Sequence, residues 1–473
     1  MQASMFNVRV PLPDRGEVFL MNTFTDAQLI VSTDVVELLD GVAERATFSA
    51  DERSTLTDLI DNGFIVENRE TERRRLNDYF RDIREDTTQL RVTVMTTLQC
   101  NFACDYCFQG DHGDYNKHAA KMSLETAGEV GEWIEERLDT LHSNRLSLTF
   151  FGGEPLLNLP VVYMLAERAR AMTTARGVEL FISIITNGLL LTPEVIDRLL
   201  PFGLGSVKIT LDGDRDMHNR MRPLRGGQGT FDKIIGNLRN IAGKVPIAIG
   251  GNFDAESADT YPALLDFLKE QEFAGSIGKI AFKPIIRTKP EPPSQPKGLL
   301  PLMAVDANGR PIGGSTCMTS AGAGGSICDT CNFVDEKMSF LREETKRRGF
   351  PTMDGVHMGP CEIHKQHAYT VGPEGSLYAC PGFTGEMGQA TGHIDGRHEA
   401  RRADAQARFD HLAAWKNCGD CSFIPVCAGG CSVSSHAELG DMNTPACHKA
   451  SFESALISLA RDAAASVVEE CVQ

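Results

Sequence analysis

The sequence predicts an α/β protein built on a parallel sheet, and three observations carry that expectation. Between residues 89 and 285, apolar β-branched runs alternate with helix-period segments, which implies parallel strands joined by crossover helices. At 473 residues the chain exceeds one ordinary domain, and a length prior suggests about three. The 14 cysteines are not scattered: three follow the first strand of the alternating region, and eight lie from Cys361 onward.

Residues 1–88 read as a small separate unit. Short β-like runs, Phe6 to Val10, Val18 to Met21 and Leu29 to Val31, lead into helical segments at Val35 to Leu39 and Ala50 to Asp61. The second helix has Ser49 as its cap, acids in its first turn and Gly63 beyond its end. Ile65-Val66 and a charged helix from Glu70 to Arg84 follow. This pattern suits a winged-helix-like unit, and a purely structural cap on the next domain is the alternative.

In residues 89–285 the expected strands are Leu90 to Met95, Ser147 to Phe151, Glu179 to Ile185, Ser206 to Leu211, Ile247 to Asn252 and Lys279 to Lys283. The helices between them are Leu124 to Leu138, Leu159 to Thr173, Thr192 to Leu200, Phe231 to Ile241 and Tyr261 to Glu270. Residues 286–357 read as a loop-rich bridge, because four prolines between 290 and 296 precede the glycines and serines of Gly313 to Ser326. Residues 358–473 are cysteine-rich and close on an Ala-rich helix from about Ala450 to Val468.

Composition narrows the function. A net charge of −17 argues against nucleic acid, since phosphate neutralisation needs a basic surface. No run of eighteen apolar residues occurs, and the N-terminus lacks a basic region followed by an apolar one, so no membrane partner and a cytoplasmic protein are expected. Cytosolic thiols stay reduced, which makes metal or cluster ligation the expected use of so many cysteines.

Cys100, Cys104 and Cys107 have C-x3-C-x2-C spacing on a loop leaving the first strand. Three thiolates can hold three irons of a [4Fe-4S] cluster and leave the fourth open to a small chelating ligand. A closed zinc site needs a fourth ligand at short range, and His112 and His118 lack metal-pair spacing. At the end of the second strand stand Gly152, Gly153, Glu154 and Pro155. The glycines permit close approach to the backbone, Pro155 fixes the chain's exit, and Glu154 can accept from an ammonium. Asn187 follows the third strand. Thr210 ends the fourth, and both suit hydroxyl groups of a ligand. Arg222 suits a carboxylate through its planar fork. Asp212 is either a ligand contact or an acidic turn residue.

With Tyr106 before the last cysteine and Phe108 after it, the loop resembles that of the radical S-adenosylmethionine (SAM) enzymes. The conjunction with Gly152-Gly153-Glu154-Pro155 one strand later strengthens the resemblance. It implies a partial, TIM-like (β/α)6 barrel in which the amino and carboxylate groups of SAM chelate the open iron. SAM would then be bound by Tyr106, Gly152, Gly153, Glu154, Pro155, Asn187, Thr210 and Arg222, and its cleavage would give a 5′-deoxyadenosyl radical. An electron donor such as flavodoxin or ferredoxin is implied as a partner.

The C-terminal cysteines form a second pattern. Cys361, Gly375 and Cys380 are followed by Cys418-x2-Cys421-x5-Cys427-x3-Cys431 and then Cys447. This resembles the seven-cysteine SPASM extension of peptide-modifying members of that family. The resemblance implies two auxiliary [4Fe-4S] clusters, three clusters in all: one on Cys361, Cys380 and Cys431, the other on Cys418, Cys421, Cys427 and Cys447. Cys317, Cys328 or Cys331 could complete the first, with Cys331 nearest in sequence, or one iron could stay open. A zinc or redox role for Cys328 and Cys331 is a further alternative. Cys471 reads as a free thiol.

The expected function is a peptide maturase that oxidatively modifies, and in the leading reading cross-links, a ribosomally made precursor peptide. Peptide epimerisation uses similar apparatus. A sulfatase-type maturase, oxidising a Cys or Ser side chain, normally has an Asp after the cysteine equivalent to Cys380. Here Pro381 stands there, and it cannot accept a proton unless Glu386 or Asp105 takes over. A non-catalytic iron-sulfur electron carrier would need neither Glu154 nor Arg222.

Overall fold

The computed structural model describes residues 1–107, 109, 119–285, 329–353, 355–357, 359–396 and 399–472. Phe108, His112, His118, Cys317 and Cys328 lie outside the described residues, as do the side chains of Cys331 and Cys471.

The N-terminal region runs β1 (Gln2–Ala3), β2 (Asn7–Leu12), β3 (Glu17–Asn22), β4 (Gln28–Ser32), α1 (Thr33–Gly41), α2 (Ala50–Asp61), β5 (Ile65–Val66) and α3 (Arg69–Glu85). Strands β2, β3 and β4 form an antiparallel meander, and β1 pairs with β5. Helix α2 begins in a capping box: Glu52 N donates to Ser49 Oγ at 3.2 Å, and Ser49 N donates to Glu52 Oε2 at 2.7 Å, which satisfies two otherwise orphaned donors. Phe19, Leu20 and Met21 are all buried. A meander buried on both faces cannot stand by itself. Leu20 packs with Leu38, Leu39 and Leu56 on one side, whereas Phe19 and Met21 meet Ala455, Leu456 and Ala460 from the far end of the chain. The region expected to be separate therefore shares its packing with the C-terminus.

The central region runs β6 (Gln89–Thr97), α4 (Leu124–Leu141), β7 (Arg145–Gly152), α5 (Leu159–Arg176), β8 (Glu179–Thr186), α6 (Pro193–Leu199), β9 (Leu204–Thr210), α7 (Arg215–Met221), α8 (Phe231–Ile241), β10 (Ile247–Phe253), α9 (Tyr261–Lys269) and β11 (Ile277–Pro284). The six strands are parallel and neighbour one another in chain order. This is the expected mixed α/β architecture with a parallel central sheet. Alternation sorts the side chains. Leu146, Leu148, Phe150, Ile182, Ile184, Val207 and Ile209 join the core under the helices with Val130, Ile134, Leu165, Ile234 and Leu264, while Thr149, Ser183, Lys208 and Thr210 fall on the other, inner face. Hydroxyls pair there, Thr149 with Ser183 at 2.9 Å.

The bridge is not loop throughout. Helix α10 (Asp329–Arg347) occupies part of it, because Val334, Leu341 and Thr345 recur on one buried face amid good helix formers. Arg348 just beyond it clamps Asp266 of α9 through two hydrogen bonds of 2.6 and 2.7 Å. Next come β12 (Ala368–Val371), β13 (Ser376–Tyr378), β14 (Gly392–His393), α11 (Glu399–Asp410), α12 (Ile424–Cys427), α13 (Ser432–Leu439) and α14 (Lys449–Val472). Strand β12 joins the sheet parallel to β6, so the cysteine-rich region is continuous with the barrel wall. Four residues of an extended run gave no such signal. No helix among the described residues is long and apolar enough to cross a membrane.

Candidate active site

The cysteine loop leaves β6 at the C-terminal edge of the sheet, where parallel α/β folds place function. Its position is set by glycines from the neighbouring strand. Gly153 N donates to Thr97 O at 2.9 Å and Glu154 N to Gln99 O at 2.8 Å. A Cβ at Gly152 would lie 2.2 Å from Thr97 O, and one at Gly153 would lie 2.3 Å from Gln99 O. The lack of side chains at these glycines lets the backbone of the cysteine loop pack directly against the strand end.

Glu154 is fully buried. Its carboxylate accepts from Leu156 N at 3.0 Å, Thr186 Oγ1 at 2.7 Å and Asn187 N at 2.8 Å. Burial pushes its carboxyl up from the ordinary value, and these donors oppose that push. The acid thus ties the third strand's end to the second. Pro155 opens a short 3-10 turn, and its carbonyl accepts from Thr96 Oγ1 at 3.3 Å. Asn187 Nδ2 reaches Asn101 Oδ1 of the cysteine loop at 2.7 Å. Arg225 was not singled out from sequence. Its Nε donates to Cys100 O at 2.9 Å, pinning the loop from the far side.

Tyr106, Asp212 and Arg222 meet in one buried network. The Tyr106 hydroxyl donates to Asp212 Oδ2. Arg222 Nη1 donates to Tyr106 Oη at 2.6 Å and lies 3.3 Å from Asp212 Oδ2. Asn252 N donates to Asp212 Oδ1 at 2.6 Å, and Asn252 Nδ2 approaches the Tyr106 oxygen at 3.4 Å. Burial pushes the Tyr106 phenol well above its usual range. Buried His218 accepts from Asp212 N at 3.2 Å through Nδ1, and burial beside Arg222 holds it neutral, far below the ordinary histidine value. Asp212 is therefore an anchor rather than a turn acid. Arg222 Nε is buried without a hydrogen-bond partner among the described residues. An orphaned guanidinium N–H beside the cysteine loop fits a carboxylate-bearing ligand. Thr210 ends β9 half-buried on the inner face.

Removing the anchor tests this network. Asp212→Ala leaves a buried guanidinium without its carboxylate, a loss expected to cost about 3–5 kcal/mol. Urea denaturation followed by circular dichroism should therefore reach its midpoint much earlier. A midpoint unchanged from wild type would remove Asp212 from the role.

The thiols gather in three groups. Cys100 couples electrostatically to Cys104, and Cys104 to Cys107. Cys361, Cys380 and Cys431 form a second coupled set. Cys418, Cys421, Cys427 and Cys447 form a third. Burial pushes Cys100, Cys380 and Cys427 up to about 12, so without a metal these groups stay as thiols. Opposing burial, backbone N–H groups two residues on point at sulfur: Phe102 N at Cys100 Sγ and Gly382 N at Cys380 Sγ, each at 3.4 Å. Cys361 and Cys427 have the same i+2 amide donor, from Ile363 and Gly429. Such donors tune cluster thiolates. Among the described residues no three ligating side chains converge as a single ion needs. Thiolates are the donor type by which proteins hold iron-sulfur clusters, each cysteine on a different iron.

The third set depends on Gly429 and Gly430, at φ +90° and +91°. Ala446 N donates to Gly429 O at 2.8 Å, which lays the chain entering Cys447 across the two glycines. The two acids that could take over the proton-acceptor role from the residue at Pro381, Glu386 and Asp105, are both exposed. The fully buried acids of the site, Glu154 and Asp212, are engaged as above.

Comparison with known proteins agrees with this arrangement. The model of the Radical SAM superfamily matches residues 94–268. Radical SAM cyclopropyl synthase TigE of Paramaledivibacter caminithermalis is 26% identical over 208 residues, covering 37% of this chain and 42% of that protein. Fe-coproporphyrin III synthase of Methanosarcina barkeri is 27% identical over 179 residues, covering 37% and 40%. The chain thus spans about two fifths of the length of these curated relatives. Native anSMEcpe with bound AdoMet and Cp18Cys peptide superposes with a TM-score of 0.56 over 79% of this chain and 97% of that one, at 17% identity, a likeness of fold. A parallel α/β barrel with Cys100, Cys104 and Cys107 at its C-terminal edge, matched over residues 94–268, is a radical SAM domain.

Proposed function

We propose that the chain is a radical SAM/SPASM peptide maturase that oxidatively modifies, by cross-linking, a ribosomally made precursor peptide. The observation that carries this reading is the separate gathering of seven C-terminal thiols into sets of three and four beside the barrel. In this reading Cys100, Cys104 and Cys107 hold the cluster that binds SAM, and the two C-terminal sets hold auxiliary [4Fe-4S] clusters. When bound, SAM and its reduced cluster supply a 5′-deoxyadenosyl radical that takes a hydrogen atom from substrate. The chain's own residues position the ligand. Arg222, held by Asp212 and Tyr106, receives the carboxylate; Asn187 and Thr210 receive hydroxyls; Glu154 keeps Asn187 in place. Flavodoxin or ferredoxin is the proposed electron source. The peptide in the anSMEcpe structure supports a peptide partner.

The same likeness favours a sulfatase-type maturase as the second reading, against which stand Pro381 and the exposure of Glu386 and Asp105. Anaerobic co-expression with a short peptide encoded beside the gene tests both. Loss of two hydrogens from the peptide is the expected result. Gain of one solvent deuterium marks epimerisation instead, and an unmodified peptide with SAM still cleaved favours the sulfatase-type reading. If the reduced protein makes no 5′-deoxyadenosine, the proposal is wrong.

A further inference from the structure

The inner wall of the barrel carries a charge pattern that the cluster and SAM sites do not use. Lys208 on β9 pairs in register with Ala248 on β10, and Ala248 pairs with Lys279 on β11. The two lysines therefore stand in one row, separated by a methyl group. Lys283, four residues along β11, shares the face of Lys279 and lies opposite Asn252. Gly250 opens the way for Lys208: a Cβ there would lie 2.8 Å from Lys208 Cε, so the lysine stem runs across the glycine along the wall.

None of the three ammonium groups makes an ion pair or hydrogen bond among the described residues, although many other arginines and lysines are paired. Burial first, then repulsion from Lys283 and Lys279, lowers Lys208 to about 8. Among the described residues these three cations have no carboxylate partner, in a chain whose net charge is −17; Lys208 is the most buried of them and Lys283 is exposed. A buried charge such as that of Lys208 is costly unless an anion joins it.

Its location says which anion. Asn252, beside Lys283, contacts Asp212 and Tyr106 of the candidate SAM site. On the other side Lys283 lies near enough to Cys361 and Cys380 to act on their thiols. The lysines thus span the wall between the two candidate redox centres, where substrate must sit on the maturase reading. We infer that Lys208, Lys279 and Lys283 form a subsite that binds a carboxylate of the substrate peptide. The inference rests on that reading. The carboxylate is either an Asp or Glu side chain or the peptide's C-terminus.

The test presents reconstituted full-length protein with randomised synthetic dodecapeptides, made once as C-terminal acids and once as C-terminal amides, and sequences the bound fraction. Wild type should enrich Asp and Glu about tenfold in both libraries if a side chain binds, or prefer the acid library about tenfold if the terminus binds. Lys208→Met/Lys279→Met/Lys283→Met should lose that preference, and the triple arginine variant should regain it. Iron content and melting temperature establish that the methionine variant is folded; if it is not, Lys279→Met alone should lower the enrichment about threefold. No acidic preference in wild type, or one that survives in the methionine variant, overturns the subsite. Weaker SAM binding with an unchanged peptide preference also overturns it, by giving the lysines to SAM. Failure of wild type to make 5′-deoxyadenosine would sink the maturase reading instead, and carboxylate preference is read independently of it.

Discussion

Cys104→Ala is expected to reduce conversion of SAM to 5′-deoxyadenosine to background, and Cys100→Ala and Cys107→Ala should do the same. A cluster that keeps one iron for SAM has three protein ligands, and no described thiol stands in reserve: the other coupled cysteines belong to the two C-terminal sets. The fold should survive each change. Cys107 is exposed and Cys104 half-buried. Cys100 loses weak sulfur contacts, from Phe102 N at 3.4 Å and from Asn187 Nδ2 at 3.9 Å, a loss of about 1 kcal/mol each at most, while Arg225 still holds its carbonyl. The auxiliary absorption should therefore remain in all three variants. Chromatography of the reaction mixture, read beside the visible spectrum, decides the matter. Normal cleavage by any one variant would break the assignment of the loop.

The barrel was legible because period-two and period-3.6 patterns alternate along it: five of the six expected strands lie within observed ones, and the sixth, Ser206 to Leu211, runs one residue past the end of β9. The cysteine loop was legible because three ligands close in sequence need no tertiary information. Two kinds of feature were not. Helix α10 was masked by the Pro- and Gly-rich composition before it, and β12 is only four residues long, recognisable as a strand through its pairing with β6. Contacts between distant segments were also hidden. Arg225 against Cys100, Asn252 against Asp212, and the Lys208-Ala248-Lys279 row each depend on register, which a single chain does not state.

The glycines teach the same lesson at closer range. Gly152 and Gly153 are visible as a motif, but their close packing against the backbone at Thr97 and Gln99 is not. Gly429 and Gly430, between Cys427 and Cys431, carry no such motif, yet the chain entering Cys447 packs against them at Ala446.

Gly430→Ala is accordingly expected to remove one auxiliary cluster while sparing SAM cleavage. A Cβ on Gly430 would lie 1.9 Å from Ala446 O and 2.8 Å from Ala446 C, a backbone that no rotamer change can move aside. At φ +91° an alanine is also strained, by about 1–3 kcal/mol. Relief comes from lifting the strand of chain at Ala446, and Cys447 is the next residue. Cys418, Cys421 and Cys427 would then lack their fourth thiolate, so iron should fall by about four per chain. On the proposed function, peptide modification should be lost with it, because the electron leaving the substrate radical would lack its acceptor. Gly388→Ala is the control, since its added Cβ meets nothing within 4 Å. Iron analysis, 5′-deoxyadenosine yield and peptide mass on the two variants separate the outcomes. Full iron with normal peptide turnover in Gly430→Ala would mean that this close approach does not hold the ligand, whereas loss of SAM cleavage as well would mean that the third thiol set supports the barrel rather than a separate centre.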